Sequence, residues 1–136
     1  MGYGESTSPE LERIAKIVVD AIYTVHKKLG PGLLESVYSI CLAHELRKRG
    51  LKVDREVKLP IIYDDIRLES AYRLDLLVEF CIVIEAKAVE KLIPLFESQL
   101  LTYLKLSGYP LGFLVNFNVP LVKDGLKRII HAGNKS

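Results

Sequence analysis

Apolar residues at helical spacing predict two helices at the start of the chain. Ser8-Pro9-Glu10 combines a capping serine, a proline suited to the first turn and an acid that favours the positive helix end. The apolar positions that follow recur every three or four residues, at Leu11, Ile14, Ala15, Val18, Ile22, Val25 and Leu29. Gly30-Pro31-Gly32 ends this helix and starts a second one, which is expected to run to about Arg49 before Gly50.

Strand-forming residues replace the helical pattern between positions 51 and 87. A first strand is predicted by Val53, Val57, Leu59, Ile61 and Ile62. Asp64-Asp65 has the character of a turn, and two strand-like runs follow, Tyr72 to Val78 and Cys81 to Ala88. The centre of the chain is therefore expected to be a sheet.

The last third of the chain returns to mixed structure. A third helix is expected from about Ile93 to Leu106, and a further strand from Leu111 to Phe117. Leu121 to Ile130 fits either a helix or a strand. This order predicts an α/β fold, a central mixed β-sheet flanked by helices, in one domain of residues 8–136 after a flexible tail of residues 1–7.

Composition agrees with one packed domain. The chain has 136 residues, of which 49% are hydrophobic, and no run approaches the roughly 20 apolar residues of a membrane helix. The polar start, Met1 to Ser8, lacks the pattern of a secretory signal, so a cytoplasmic protein without a membrane partner is expected. Nineteen basic and 17 acidic residues give a net charge of +2, which argues against tight, sequence-blind coating of DNA.

The two cysteines, Cys41 and Cys81, belong to no CxxC or Cys/His cluster, which argues against a zinc site. Both are interpreted as buried thiols that act as small hydrophobic side chains.

Strand alternation places charged residues on one face of the two central runs. In the second run, one face is expected to carry Val83, Glu85 and Lys87. In the first run, Asp75 is expected to face away from Leu74, Leu76 and Val78. If the runs form a hairpin with a three-residue connection centred on Phe80, Asp75 lies opposite Glu85 on the same face. A two-residue loop would break this facing unless a bulge restored it.

Two carboxylates at such close range repel each other unless a cation lies between them. Mg²⁺ or Mn²⁺ prefers oxygen ligands of this kind, and the backbone carbonyl of Ala86 can complete the oxygen shell. Lys87 beside the pair can stabilise developing negative charge or orient an attacking water. This is the chemistry of metal-assisted phosphodiester hydrolysis. The alternative is that Asp75, Glu85 and Lys87 are ordinary charges on a solvated strand face.

Three further side chains are candidate catalytic partners. Glu35 lies near the start of the second helix on a face that carries Tyr38, although an acid there can simply favour the helix dipole. Gln99 and Tyr103 lie four residues apart on one face of the third helix. Gln99 could hold a metal-bound water, Lys87 or a phosphate, or it could be a hydrogen-bonded core residue.

Several stretches resemble the GxxExxY protein family. They are Gly32 to Tyr38, Tyr72-Arg73-Leu74-Asp75, Glu85 to Lys91, Gln99 to Leu104 and Asn116-Phe117-Asn118. That family is placed in the PD-(D/E)xK nuclease superfamily, so the resemblance implies a restriction-endonuclease-like core with a divalent-metal site. It also implies that Asp75 and Glu85 bind the metal, that Lys87 is the catalytic lysine and that Glu35 is the acid contributed by the early helix.

The resemblance further relates Gln99 and Tyr103 to the Q-x-x-x-Y element of nucleases allied to recombination helicases. Arg73-Leu74 stands where the superfamily pattern has proline before the aspartate. The leading hypothesis is a metal-dependent nuclease that acts on DNA or RNA, aided by a partner protein, a homodimer or a structured substrate. The alternatives are a non-catalytic nucleic-acid-binding or assembly module of the same fold, and a hydrolase of small phosphoesters.

Overall fold

The structure, a computed structural model, describes residues 7–131. Residues 1–6 of the predicted tail lie outside this part, and the Thr7 hydroxyl donates a hydrogen bond to the Glu12 carboxylate. Within residues 7–131, every helix is too short or too polar to cross a membrane. The predicted division into a tail and one domain stays a prediction.

Three helices form close to the predicted positions, and helix α1 spans Pro9–Leu29. The Ser8 hydroxyl accepts a hydrogen bond from the Leu11 amide at 3.0 Å, which confirms the predicted cap. Gly30 ends the helix with φ of 69°, a conformation that glycine adopts without steric cost. Helices α2 and α3 span Glu35–Lys48 and Pro94–Ser107.

Five strands form one mixed sheet in the order β1-β2-β3-β4-β5. Their bounds are Val53–Tyr63, Ile66–Val78, Ile82–Lys87, Leu111–Asn116 and Leu126–Ile130. Strands β3 and β4 are parallel and are joined across α3, and the other neighbours are antiparallel. The predicted α/β fold with a central mixed sheet flanked by helices is confirmed.

Two elements differ in extent from the prediction. Strand β2 begins at Ile66 rather than Tyr72, because the Asp64-Asp65 turn closes a long hairpin with β1. The ambiguous last segment divides into a 3₁₀ turn, Val122–Gly125, followed by β5. The structure thus resolves the helix-or-strand alternative as a short turn and an edge strand.

The sheet separates two apolar clusters. The larger cluster joins α1 and α2 to one face of the sheet, through residues such as Ile22, Leu46 and Ile84. The smaller cluster packs α3 on the other face, with Leu100 and Leu104 against the strands. Burial on both faces makes the middle strands continuously apolar, so a polar side chain there needs a specific partner.

The predicted facing of Leu74 is wrong. Leu76 and Val78 belong to the cluster under α1 and α2, whereas Leu74 is buried in the cluster under α3. Leu74 and Leu77, three residues apart, share the α3 face, so alternation along β2 is broken between them. Glu56, between the β1 residues that pair with Leu76 and Leu74, adopts the left-handed region at φ of 53°. Strict alternation cannot predict such an irregularity.

The two cysteines are less buried than predicted. Cys41 and Cys81 are free thiols, half-buried, and they pack against the edge of the larger cluster. Burial raises the pKa of the Cys81 thiol, and the charges of Glu79 and Glu10 raise it further.

Candidate active site

The hairpin between β2 and β3 has the predicted register. Val78 pairs with Ile82 and Leu76 with Ile84, so the connection is centred on Phe80. Glu79 and Phe80 both adopt the left-handed region, with φ of 51° and 54°. The next position along this register places Asp75 opposite Glu85, as the sequence predicts.

Regular pairing of β2 with β3 ends just before that position. Instead, the Asp75 amide donates to Glu85 Oε2 at 3.0 Å, and the Ala86 amide donates to Asp75 Oδ2 at 2.9 Å. Each carboxylate therefore accepts a hydrogen bond from a backbone amide of the opposite strand. In a regular ladder a backbone carbonyl would accept that bond. This crossed arrangement holds the two carboxyl groups close together between the strands.

Burial makes the negative charge of this pair costly. Glu85 is only 7% exposed, and burial followed by the Asp75 charge raises its pKa to about 8. Burial also raises the pKa of Asp75, against the opposing effects of the Ala86 amide and the Lys87 ammonium. Glu85 is therefore fully ionised at neutral pH only when additional positive charge compensates it.

Lys87, the last residue of β3, supplies positive charge from one side. Its charge opposes the pKa rise at both carboxyl groups, which places it beside the pair. The Lys87 ammonium lies 4.6 Å from the centre of the Phe96 ring on α3, an attractive cation–π geometry. Sequence reasoning missed Phe96, although it lies on the same helix and three residues before Gln99.

Glu35, the first residue of α2, reaches the end of β3. Its Oε2 accepts a hydrogen bond from the Ala88 amide at 3.3 Å, and its side chain is otherwise exposed. The Glu35 charge raises the pKa of both Asp75 and Glu85. Glu35 thus contacts the strand that carries Glu85 and Lys87, in addition to beginning a helix.

Tyr38, three residues after Glu35 on α2, anchors the loop that precedes this helix. Its hydroxyl donates to the Gly30 carbonyl at 2.6 Å and accepts from the Leu33 amide at 3.1 Å. Its fully buried ring stacks on Phe117 with centroids 4.5 Å apart. The tyrosine therefore fixes the loop that delivers Glu35 to the site.

Gln99 and Tyr103 lie half-buried on α3, in a groove that also contains Tyr72 of β2. Burial raises the pKa of Tyr103, and the charges of Glu85, Tyr72 and Asp75 raise it further. Tyr103 is therefore within electrostatic reach of the carboxylates. The proposed roles of Gln99 and Tyr103 in catalysis stay predictions.

Asn116 is a residue that sequence reasoning left without a role. It is 1% exposed and pairs with Lys87 in the parallel ladder of β3 and β4. Its Oδ1 accepts from the amides of Val89 and Asn118 at 3.1 Å, and its Nδ2 donates to the Val89 carbonyl at 2.9 Å. Asn116 fixes the chain directly after Lys87.

The donor set suits a hard divalent cation. Mg²⁺ commonly binds through one or two carboxylates and completes its shell with waters and substrate phosphates. Buried Glu85 and half-buried Asp75 are adjacent carboxylates whose repulsion a cation would relieve. Residues 7–131 contain no cluster of three or more His, Cys, Asp or Glu side chains arranged for a metal. Ligation by the Ala86 carbonyl stays a prediction.

Comparison with known protein families identifies the superfamily of the chain. The family model of the PD-(D/E)XK nuclease superfamily matches residues 12–129. The chain belongs to this superfamily. No curated protein and no solved structure gives a significant match. Superfamily membership, with its general nuclease activity and typical use of divalent metals, implies nucleic acid as the class of substrate. The narrower resemblance to GxxExxY proteins stays a prediction.

Proposed function

We propose that the protein is a nuclease that hydrolyses phosphodiester bonds of DNA, and also of RNA, with Mg²⁺ or Mn²⁺. The observation that carries this proposal is the crossed pair of hydrogen bonds that places Asp75 and Glu85 together beside Lys87. A carboxylate pair with no cation to bind would destabilise the fold, because burial penalises two negative charges.

Asp75, Glu85 and the Ala86 carbonyl would hold the metal. When bound, such a metal polarises the phosphate and lowers the pKa of its bound water. Lys87, held over the Phe96 ring, is directed to stabilise negative charge that develops on the phosphate. Glu35 adds negative charge at the end of β3 and favours retention of a cation.

Gln99 and Tyr103 would position substrate rather than bind metal. They belong to the groove on the α3 side, and the charges of Glu85 and Asp75 contribute to the raised pKa of Tyr103. The net charge of +2 provides little general attraction for phosphate. We therefore also propose that a homodimer or a partner protein, in the cytoplasm, contributes to substrate binding.

The proposal is tested with labelled single-stranded, duplex and branched DNA and RNA, incubated with Mg²⁺, Mn²⁺ or a chelator. Cleavage is expected with metal only, and Lys87→Ala is expected to abolish it. Lys91→Ala, which changes an exposed lysine four residues later, is the matched control and should retain activity. Binding of substrate without cleavage by wild type under any metal condition would favour the non-catalytic module instead.

A further inference from the structure

The groove that contains Gln99 and Tyr103 indicates which part of a substrate it would bind. It lies between α3 and the outer part of the β1–β2 hairpin and has a volume of about 550 Å³. That volume falls within the roughly 300–1,000 Å³ of typical small-ligand sites. Both walls carry apolar side chains, such as Leu68 on β2 and Leu95 on α3, and Ser98, Gln99 and Thr102 of α3 add hydrogen-bonding groups.

Two tyrosines dominate the end of the groove nearest the carboxylates. The rings of Tyr72 and Tyr103 have centroids 5.5 Å apart and are tilted by 42°. Tyr103 supports the ring of Tyr72, which remains 50% exposed on β2. An aromatic ring that is fixed on one side and open on the other can stack on a planar ligand.

The groove lies on the same strand and the same helix as residues of the candidate active site. Tyr72 precedes Asp75 by three residues on the same strand, and the negative charges of Glu85 and Asp75 reach Tyr103. If a phosphate of a nucleic acid lies at the carboxylate pair, its neighbouring nucleotides would therefore lie close to Tyr72. The two sites would bind parts of one ligand.

The chemistry of the lining selects which part of a nucleic acid fits. Among the residues that line the groove within the described chain, none is lysine, arginine, aspartate or glutamate. Such a surface cannot neutralise phosphates, which dominate contacts with a duplex. In single strands, by contrast, the flat faces of the bases are free to stack on aromatic side chains.

We propose that this groove binds the unpaired bases of a single-stranded nucleic acid, stacked on Tyr72, and so directs the nuclease site to single-stranded substrates. The inference rests on the proposed nuclease function and adds its substrate class. Ser98, Gln99 and Thr102 supply uncharged donors and acceptors that tolerate several bases.

The first test measures binding of single-stranded and duplex oligonucleotides by fluorescence anisotropy, with Ca²⁺ in place of Mg²⁺ and the oligonucleotides checked afterwards for integrity. Tyr72→Ala is expected to weaken single-strand binding about 5- to 100-fold, the range for loss of one base stacked on an aromatic ring. Tyr72→Phe keeps the ring and should bind within about twofold of wild type. Tyr23→Ala, on α1, is the control for loss of an exposed tyrosine elsewhere.

A second measurement uses only the wild-type protein, so it does not depend on whether a variant folds. A single-stranded oligonucleotide with 5-iodouracil is irradiated with the wild-type protein, and the crosslinked peptides are mapped. Crosslinks are expected in β2 and α3, at Tyr72 or Tyr103. Crosslinks confined to other elements, or equal weakening of single-strand and duplex binding in Tyr72→Ala, would overturn the assignment.

These experiments distinguish other occupants of the groove, and they distinguish failure of the groove proposal from failure of the nuclease proposal. A wild-type dimer that Tyr72→Ala dissociates, seen by analytical ultracentrifugation, would mean that a second copy covers the groove, and would overturn the assignment. Metal-dependent cleavage that is indifferent to Tyr72→Ala removes the groove proposal and leaves the nuclease function. Tyr72-dependent single-strand binding without cleavage supports the groove and removes the nuclease function.

Discussion

The backbone amide of Asp75 donates a hydrogen bond to the carboxylate of Glu85, at the position where regular pairing of β2 and β3 stops. The reciprocal bond, from Ala86 to Asp75, fixes the second carboxylate. Local strand geometry thus brings a half-buried acid, Asp75, against a buried one, Glu85, and the folded chain tolerates their combined charge poorly. This property is measurable without any substrate.

Stability in metal-free buffer should fall as pH rises. The pKa of Glu85 is about 8 in the folded protein, against an ordinary value of 4.5, because of burial and the Asp75 charge. Between these values the folded state holds a proton that the unfolded state has released. The free energy of unfolding therefore decreases with rising pH, by up to about 1.4 kcal/mol per pH unit for one proton. Melting temperatures from pH 5 to pH 8.5 in chelator measure this decrease.

Substitution of Glu85 separates its contribution to the pH dependence of stability from that of the other titrating groups. Glu85→Gln retains an acceptor for the Asp75 amide but cannot ionise, so its melting temperature should depend less on pH than that of wild type. Glu90→Gln changes an exposed acid and should keep the wild-type profile. Parallel profiles for wild type and Glu85→Gln would contradict the pKa assigned to Glu85.

Metal binding should respond in opposite ways to the loss of Glu85 and the loss of Lys87. Glu85→Ala leaves one carboxylate and should abolish the thermal shift produced by Mg²⁺, while metal-free stability stays equal or rises because repulsion is relieved. Lys87→Ala removes a competing positive charge and should keep the shift or enlarge it, without cleavage. At 100 times Kd the wild-type stabilisation is about 2.7 kcal/mol.

Calorimetric titration with Mg²⁺ provides the independent measurement. Wild type and Lys87→Ala should bind, and Glu85→Ala should not. If the wild type shows neither a thermal shift nor heat of binding, the carboxylate pair is structural, and the nuclease proposal has to be abandoned for the binding module.

Sequence patterns predicted the features that depend on local periodicity. The Ser8 cap and the amphipathic stripe of α1 follow from spacing, because burial and capping act over a few residues. The hairpin centred on Phe80 was one of two alternatives that the sequence left open, and the structure selects it. The position of Asp75 opposite Glu85 follows from that register. The approach of Glu35 to Ala88 could only be anticipated by resemblance, since it depends on how α2 packs.

Contacts between distant segments were not predictable. The facing of Leu74 requires a break in the alternation of β2 between Leu74 and Leu77, and no residue type in that segment signals it. Lys87 meets Phe96 only because α3 crosses over the sheet between β3 and β4. Asn116 acquires its position beside Lys87 from the parallel register, which the sequence alone leaves undefined.

Tyr38→Phe should weaken the loop that presents Glu35. The change removes the hydroxyl that contacts Gly30 and Leu33 but keeps the ring stacked on Phe117. We expect a loss of about 1–2 kcal/mol in the free energy of unfolding, measured with urea, because two polar backbone groups lose their partner. Tyr23→Phe, at an exposed tyrosine, should change stability little. Equal effects of the two substitutions would argue against this role for the Tyr38 hydroxyl.

Asn116 is expected to act as a positioning residue for Lys87. Asn116→Ala removes its three hydrogen bonds to Val89 and Asn118 and frees the chain after Lys87. Turnover should fall on the order of 100-fold, since misplacement by about 1 Å can have that effect. Mg²⁺ affinity by calorimetry should stay near that of wild type. Asn118→Ala, which loses only a 3.4 Å side-chain contact with Val89, should be milder, and a drop in metal affinity for Asn116→Ala would contradict a positioning role.

Phe96 should hold the Lys87 ammonium over the site, and the chain contains a matched control. Lys87 lies 4.6 Å from the Phe96 ring, and Lys52 lies 5.2 Å from the Phe80 ring at the far end of the hairpin. Leucine keeps apolar bulk in both places but removes the π-face, which is worth about 0.5–2 kcal/mol depending on exposure. Both Phe96→Leu and Phe80→Leu should therefore lose a comparable, small amount of stability.

Their effects on catalysis should differ. Phe96→Leu frees the Lys87 side chain and should lower kcat about 10-fold or more, with little change in Mg²⁺ affinity, because the carboxylates remain in place. Phe80→Leu should leave kcat unchanged, since Lys52 and Phe80 lie outside the site. Single-turnover cleavage rates at saturating Mg²⁺, compared with urea melts of the same variants, separate the two effects. Equal rates for both variants would show that Lys87 is held by other contacts, and a parallel loss of rate and stability would show that Phe96 acts only through packing.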